Sequence, residues 1–545
     1  SNWVAHNESG ANYASWTFRK APKFFTCLTY SGTGTAQTIS HDLGTTVGTL
    51  IVKRTDSSDS WRVYHRGMDA TSPQNYFIAL NGYSQKTSAS TIWNNTAPTD
   101  TTFTVGTSSS VNASGGTYVA YLFAHNDGDG EFGDGTQDII KCGSYSGNGS
   151  STGPEIDLGF EPQWLLVKDA TSANNWLLFD NMRGLVTGGN DALLRPNLAD
   201  AELTSVDLVE ATSTGFRIPT NDAGINGSGN TYIYIAIRRG PMAVPTDATD
   251  VFAIEDSHAT SGSGPSFVSN FVTDMVLEKQ ATAVGDWYAI TRLMGDKYVR
   301  TNSTGAELTG SATTWDYMNG AGEPFSSSPT FQGWMWKRAP SFFDVVAYTG
   351  NGTAGRTVSH NLGVVPEMMW IKNRDYTAGT SWLVYHKDLG GTKYLALNNA
   401  NAAGTLNLFF NDTDPTSDVF TVGSGIAVNG SANNIIAYLF ASLDGVSKVG
   451  SYTGTGATLN IDCGFSSGAR FILIKRTDDS PYDWFVWDSE RGIVAGNDPR
   501  LALNLSNAEV TTQDDIDPYS SGFTISSTSP GINTSGGSYI FYAIA

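Results

Sequence analysis

Cysteine is nearly absent. The 545 residues hold three, Cys27, Cys142 and Cys463, widely separated and without a C-x-x-C pair. An odd, scattered set argues against a disulfide-stapled scaffold, a thiolate metal site or a catalytic nucleophile. Basic residues are also scarce: 32 Lys and Arg stand against 52 Asp and Glu, a net charge of −20 with no long block of either sign. Such a surface repels a phosphate backbone, so no nucleic-acid partner is expected. No apolar run approaches the roughly 18 residues that cross a bilayer, so membrane insertion is not expected either. There is no heptad stretch to fix a chain number and no signal-peptide pattern. The first residue is Ser rather than Met, which suggests a true start upstream.

Glycine is abundant, with 59 residues, and Ser, Thr, Asn and Asp accompany it while helix-forming runs are few. That balance predicts many short strands joined by turns. The length predicts several domains rather than one core.

The strongest signal is repetition. LIVKRTDSSDSW, LLVKDATSANNW, MVLEKQATAVGDW, MWIKNRDYTAGTSW and ILIKRTDDSPYDW share one pattern: a strand ending in Lys53, Lys168, Lys279, Lys372 or Lys475, a polar turn, then Trp61, Trp176, Trp287, Trp382 or Trp484. Upstream of four copies lies a strand with a Gly-rich turn, as in TYSGTG and SYSGNG. Downstream of four lies an Asn, at 112, 226, 429 or 533, before an aromatic-rich strand such as TYIYIAIRR. These Asn residues suit tight turns, where positive φ and a bond to the local backbone are tolerated. Apolar residues on both faces of the last strand predict that it is central and covered.

These marks divide the chain into 21–128 (module A), 136–240 (B), 241–338 (C), 339–443 (A′) and 444–545 (B′). Trp16 to Pro22 aligns with Trp334 to Pro340 at an offset of 318 residues, which makes 1–20 the remnant last strand of another C-type module. The expected fold is all-β: a tandem array of antiparallel, jelly-roll-like β-sandwiches of about 100 residues, each around its own core and stacked into a rod, with Pro241 and Pro245 stiffening one joint. The Trp residues are expected to be core, and the three Cys to be buried thiols in place of apolar residues.

Chemistry is hard to find. Ser40-His41-Asp42 cannot form a relay, because neighbouring strand residues point to opposite faces. His41 and His360 recur, as do His65 and His386, but the B modules place Asp157 and Asp180 near the corresponding positions. Glu202, Glu307 and Glu509 close a repeated N-x-x-x-A-E element. With Arg183 and Arg491 nearby, ion pairs within each module are the expectation rather than a glycosidase carboxylate pair. No catalytic residue and no cofactor is expected. One stretch breaks the repeat, HNDGDGEFGDGTQD at 125–138. Its oxygen-rich Asp127, Asp129, Glu131 and Asp134 form a candidate calcium site, the alternative being a solvated acidic linker.

The segments DIIKCGSYSGNGSSTGPEIDLGFEPQWLLVK, NWLLFDNMRG and GNTYIYIAIRRGPM resemble the repeat modules of tailed-phage virion structural proteins, particularly tail-fibre-like or appendage proteins of marine and cyanobacterial phages. That resemblance implies a non-enzymatic structural protein at the virion surface. It would contribute to host attachment or the particle exterior and associate with other virion proteins, with its own copies, and with host surface glycans. The other expectation is a bacterial cell-surface or secreted adhesin or surface-layer protein that binds glycans or neighbouring copies.

Overall fold

The computed structural model describes residues 10–256, 264–310, 313–322 and 331–545. Module A sets the plan. Its strands are β1 (Phe25–Ser31), β2 (Gln37–Ser40), β3 (Val47–Arg54), β4 (Arg62–His65), β5 (Tyr76–Ala79), β6 (Thr87–Ser88), β7 (Thr102–Val105) and β8 (Thr117–Ala124). They form one sheet in the order β1-β8-β3-β4-β5-β6, faced by the pair β2-β7. All pairings are antiparallel. The same large-sheet order recurs over 252–309, closed by 331–336, in C and over 343–440 in A′. B and B′ keep the central order but widen the small sheet to three strands. The chain is thus a set of repeated antiparallel sandwiches. Among the described residues the α-helices are each a single turn of four residues.

The closing strand is central, as its two apolar faces require: Thr231–Arg238 pairs with Pro162–Asp169 on one side and Ile140–Ser146 on the other. The Gly-rich turn is fixed by close approach. A Cβ on Gly32, Gly147, Gly350 or Gly454 would lie 2.1–2.3 Å from a carbonyl oxygen of the Asn turn, so no larger residue fits.

That Asn does something other than make a tight turn of its own. Asn112, Asn226, Asn429 and Asn533 are all fully buried. The Asn226 side chain accepts from Asn148 N–H at 2.8 Å and donates to Ser150 O and Thr220 O at 2.9 and 2.7 Å. The other three make the same long-range set. Positive φ falls three residues later, at Gly115, Gly229, Ala432 and Gly536. The amide therefore clamps the Gly-rich turn, some 78 residues away, to the closing strand.

The expectation of one private core per module is corrected. Inward residues of A′ such as Val346, Tyr348, Met369 and Ile371 do pack on its own small sheet. The opposite face of that sheet, Val345, Ala347, Met368 and Trp370, belongs to a core continuous through B, C, A′ and B′. Each large sheet is apolar on both sides, and a second apolar face must be covered by another sheet. A rod of separate beads would leave it wet.

Candidate protein–protein interface at the Lys–Trp turns

The five Lys-to-Trp turns are built alike. The Trp backbone N–H donates to an Asn side chain on the next hairpin: Trp61 to Asn81, Trp176 to Asn197, Trp287 to Asn302, Trp382 to Asn398 and Trp484 to Asn504, at 2.9–3.1 Å. The sequence carries this Asn in all five copies, two to four residues after a short strand, and its role shows only once the hairpin is folded.

Four of the five Trp side chains leave their own module. Trp287 Nε1 of C donates to Ala502 O of B′ at 2.9 Å, Trp484 of B′ to Ala396 O of A′ at 3.0 Å, and Trp382 of A′ to Arg300 O of C at 2.9 Å. The circuit closes on itself. The lysines follow it: Lys279 Nζ reaches Ser506 O, Lys475 reaches Ala400 O and Lys372 reaches Thr304 O. In return Glu509 N–H bonds Ala281 O, Ala403 N–H bonds Thr477 O and Glu307 N–H bonds Arg374 O. Three like modules joined head to tail by equivalent contacts make a closed quasi-threefold ring. Along its axis an aromatic cluster runs through Phe252, Trp336, Phe343, Phe440, Tyr542 and Phe471, with neighbouring ring centroids 4.9–6.4 Å apart. Edge-on and tilted aromatic pairs of this kind add to the gain from burial.

Module B docks on A by the same contact: Trp176 Nε1 donates to Ala79 O at 3.0 Å, Lys168 Nζ to Tyr83 O, and Lys86 N–H to Ala170 O. The remnant takes part as well, without making the expected strand. Residues 11–20 form no strand, and residues 1–9 of the expected remnant lie outside the described residues. Trp16 Nε1 nonetheless donates to Asp180 Oδ2 at 3.1 Å, as Trp334 does to Asp488 at 3.1 Å. Phe18 packs on Trp164, Phe25 and Phe123.

Burial pushes the lysines down, opposed only in part by Asp169, Asp286 and Asp483 beside three of them: Lys168, Lys279 and Lys475 to about 8 and Lys372 to about 7. Carbonyl oxygens meet the charge. A second electrostatic joint holds B to the ring. Buried Arg338 of C donates to both carboxylate oxygens of Glu161 in B, at 2.8 and 2.5 Å, and to Asp344 of A′ at 2.8 Å.

The expected ion pairs form. Arg183 meets Glu202 at 2.6 Å and Arg491 meets Glu509 at 3.3 Å, each within its module. Glu307 instead bridges Lys297 of C and Arg374 of A′. His41 and Asp42 go separate ways: His41 Nδ1 accepts from Leu43 N–H, while Asp42 takes Lys20 and Thr26. Buried His65 lies between A and B, its Nε2 on Tyr234 O at 2.9 Å and its Nδ1 accepting from Gly67 N–H. Cys142 and Cys463 are buried as expected, but Cys27, on the edge strand of module A's large sheet, is exposed, which corrects the expectation of three buried thiols. The four candidate calcium-binding carboxylates of the 125–138 joint have different partners. Asp127 faces Lys141, Asp129 accepts from Thr45, Glu131 pairs with Lys23 and Asp134 accepts from Thr136. Among the described residues no group of three or more acidic, His or Cys side chains gathers to hold a metal.

Residues 1–241 and 336–545 match the family described as Domain of unknown function (DUF7483). The chain belongs to this family. No curated protein matches it. The DUF7483 match passes over 242–335, most of module C, yet that module has the large-sheet order of A and A′ and completes the ring. The strand order reveals a repeat unit here that the family match does not reach.

Proposed function

We propose that the chain is a non-enzymatic structural protein, a virion appendage or tail-fibre-like component whose repeated sandwiches form part of a particle's exterior. The observation that carries this reading is the Lys–Trp seam. The residues repeated most faithfully along the chain are spent on joining modules, with the Trp indoles and Lys ammonium groups bonded to backbone carbonyls of the next module. A protein whose repeated polar groups serve assembly is suited to load and surface display, with any receptor contact left to the variable loops. The acidic net charge of −20 favours a soluble, non-adhering exterior. The resemblance of module B to phage virion repeats supports a phage particle as the setting.

Mass spectrometry of purified virions tests the assignment. The protein is expected at constant stoichiometry through successive purification steps. Its presence on uninfected cells alone would contradict the reading. Incubation with host surface polysaccharides is expected to release no reducing ends over time; release that disappears on substitution of one Asp or Glu would contradict the non-enzymatic part.

A further inference from the structure

The two halves of the chain can be compared position by position. C, A′ and B′ form a closed ring, whereas A and B have the same mutual contact but only residues 10–20 in the third place. In A′ the seam Trp382 is fully buried and bonded to C; its counterpart Trp61 in A is only half-buried, and no acceptor faces its indole among the described residues. Lys372 reaches Thr304 O of C, whereas Lys53 turns back on Ser57 O and Asp59 O of its own turn.

On the edge strand, Cys142 of B lies against Gly48 of A and accepts from Thr49 Oγ1 at 3.4 Å. The equivalent Val345 of A′ is 1% exposed inside the ring, but Cys27 of A is exposed. On the B side, Arg195, Pro196 and Ala199 occupy the places of Ala502, Leu503 and Ser506, whose carbonyls accept from Trp287, Thr301 and Lys279 of C. Trp16 and Phe18 already sit where Trp334 and Trp336 sit in the closed ring. Trp334 and Trp336 lie on a strand, Phe331–Trp336, that is paired on both sides, by Phe252–Asp256 and Met275–Gln280. Residues 11–20 belong to no strand.

We propose that this open third position is a docking site for the body of a C-type β module, which takes residues 13–18 as its central strand and closes a second ring. The occupant must bring two strands to flank 13–18, a carbonyl for the Trp61 indole and another for Lys53 Nζ. It must also carry a Trp and a Lys of its own for the carbonyls of Arg195 and Ala199. Residues 241–338 of this chain show every one of these groups in place on A′ and B′. The exposure of Cys27 has the same origin. Its face is built for cover by the third module, so the valine-like position reads as core in the sequence.

The test uses the full chain, extended by a second copy of residues 241–318 ahead of Ser1, which preserves the 318-residue register between Trp16 and Trp334. Cys27, the exposed one of the three thiols, reports directly. Its reaction with a thiol reagent should slow about tenfold or more in the extended chain, as expected for a group that reacts only on local opening. Quenching of tryptophan fluorescence by iodide should fall, and the extension should resist protease. An extension digested as fast as an unfolded chain would overturn the proposal, and so would a folded extension that leaves the Cys27 rate unchanged.

Discussion

A single buried amide holds the two ends of each sandwich together. Asn226, itself fully buried, uses its carbonyl and its amino group in three bonds to the backbone of two separate loops. Removing it leaves an N–H and two carbonyls unpaired, which costs roughly 2–4 kcal/mol. We expect Asn226→Ala to lower the urea midpoint accordingly and Asn226→Asp to recover only part, since a carboxylate cannot donate to Ser150 O and Thr220 O. Full stability in Asn226→Ala would contradict the clamp.

His65 provides a pH test. Burial pushes its imidazole from 6.5 down to about 4, the bond to Tyr234 O opposing only in part. The unfolded chain takes up a proton near 6.5 and the folded chain not until about 4, so between these values the unfolded state binds more protons. Stability is complete above 6.5 and falls as the pH drops through this window, by at most roughly 3 kcal/mol for this group. His386, at the matching place in A′, is shifted the same way by burial. Denaturation midpoints measured between pH 7 and 4 should fall less steeply in His65→Gln than in the parent; equal slopes would contradict the assignment.

At the scale of the element, the Lys–Trp turn is the piece that matters, and its worth depends on where it points. Trp382→Phe removes the indole donor and part of a buried ring, leaving Arg300 O without that bond, at a cost of roughly 1–3 kcal/mol. Trp61→Phe, at a half-buried ring without that bond, should cost less, about 1 kcal/mol or below. Calorimetry on the two variants separates a seam role from a core role, because equal losses would mean that both rings serve only their own module.

The strands themselves were legible from alternation, Gly-rich turns and the five repeats. The two-faced closing strand was legible as central. What periodicity does not encode is which module covers a strand's second face. Val345 and Cys27 occupy one repeat position and read alike, yet only Val345 is covered. Asn112 and its equivalents read as turn residues because short-range sequence shows their neighbours and not the turn 78 residues away. The Asn that holds each Trp N–H was visible five times, but it lies 15 to 21 residues from its Trp.

For the whole molecule, the shared core changes how the chain should be regarded. Sheets apolar on both faces cannot string out; they close on one another, and the chain returns so that C and B′ touch across the intervening A′. Contacts between consecutive modules would exist in a rod as well. The contact between C and B′ would not, which makes it the decisive one. Gly285 N–H bonds Ser506 O at 2.8 Å across this seam, and Val284 and Asn507 beside it are exposed. Spin labels on Val284→Cys and Asn507→Cys, in a chain with Cys27→Ser, measure the separation by pulsed electron resonance. A closed ring puts the labels within about 20 Å, whereas a rod of sandwiches some 30 Å across puts modules two places apart at about 60 Å. A single short distance is the expected result, and a distribution centred near the longer value would contradict the ring.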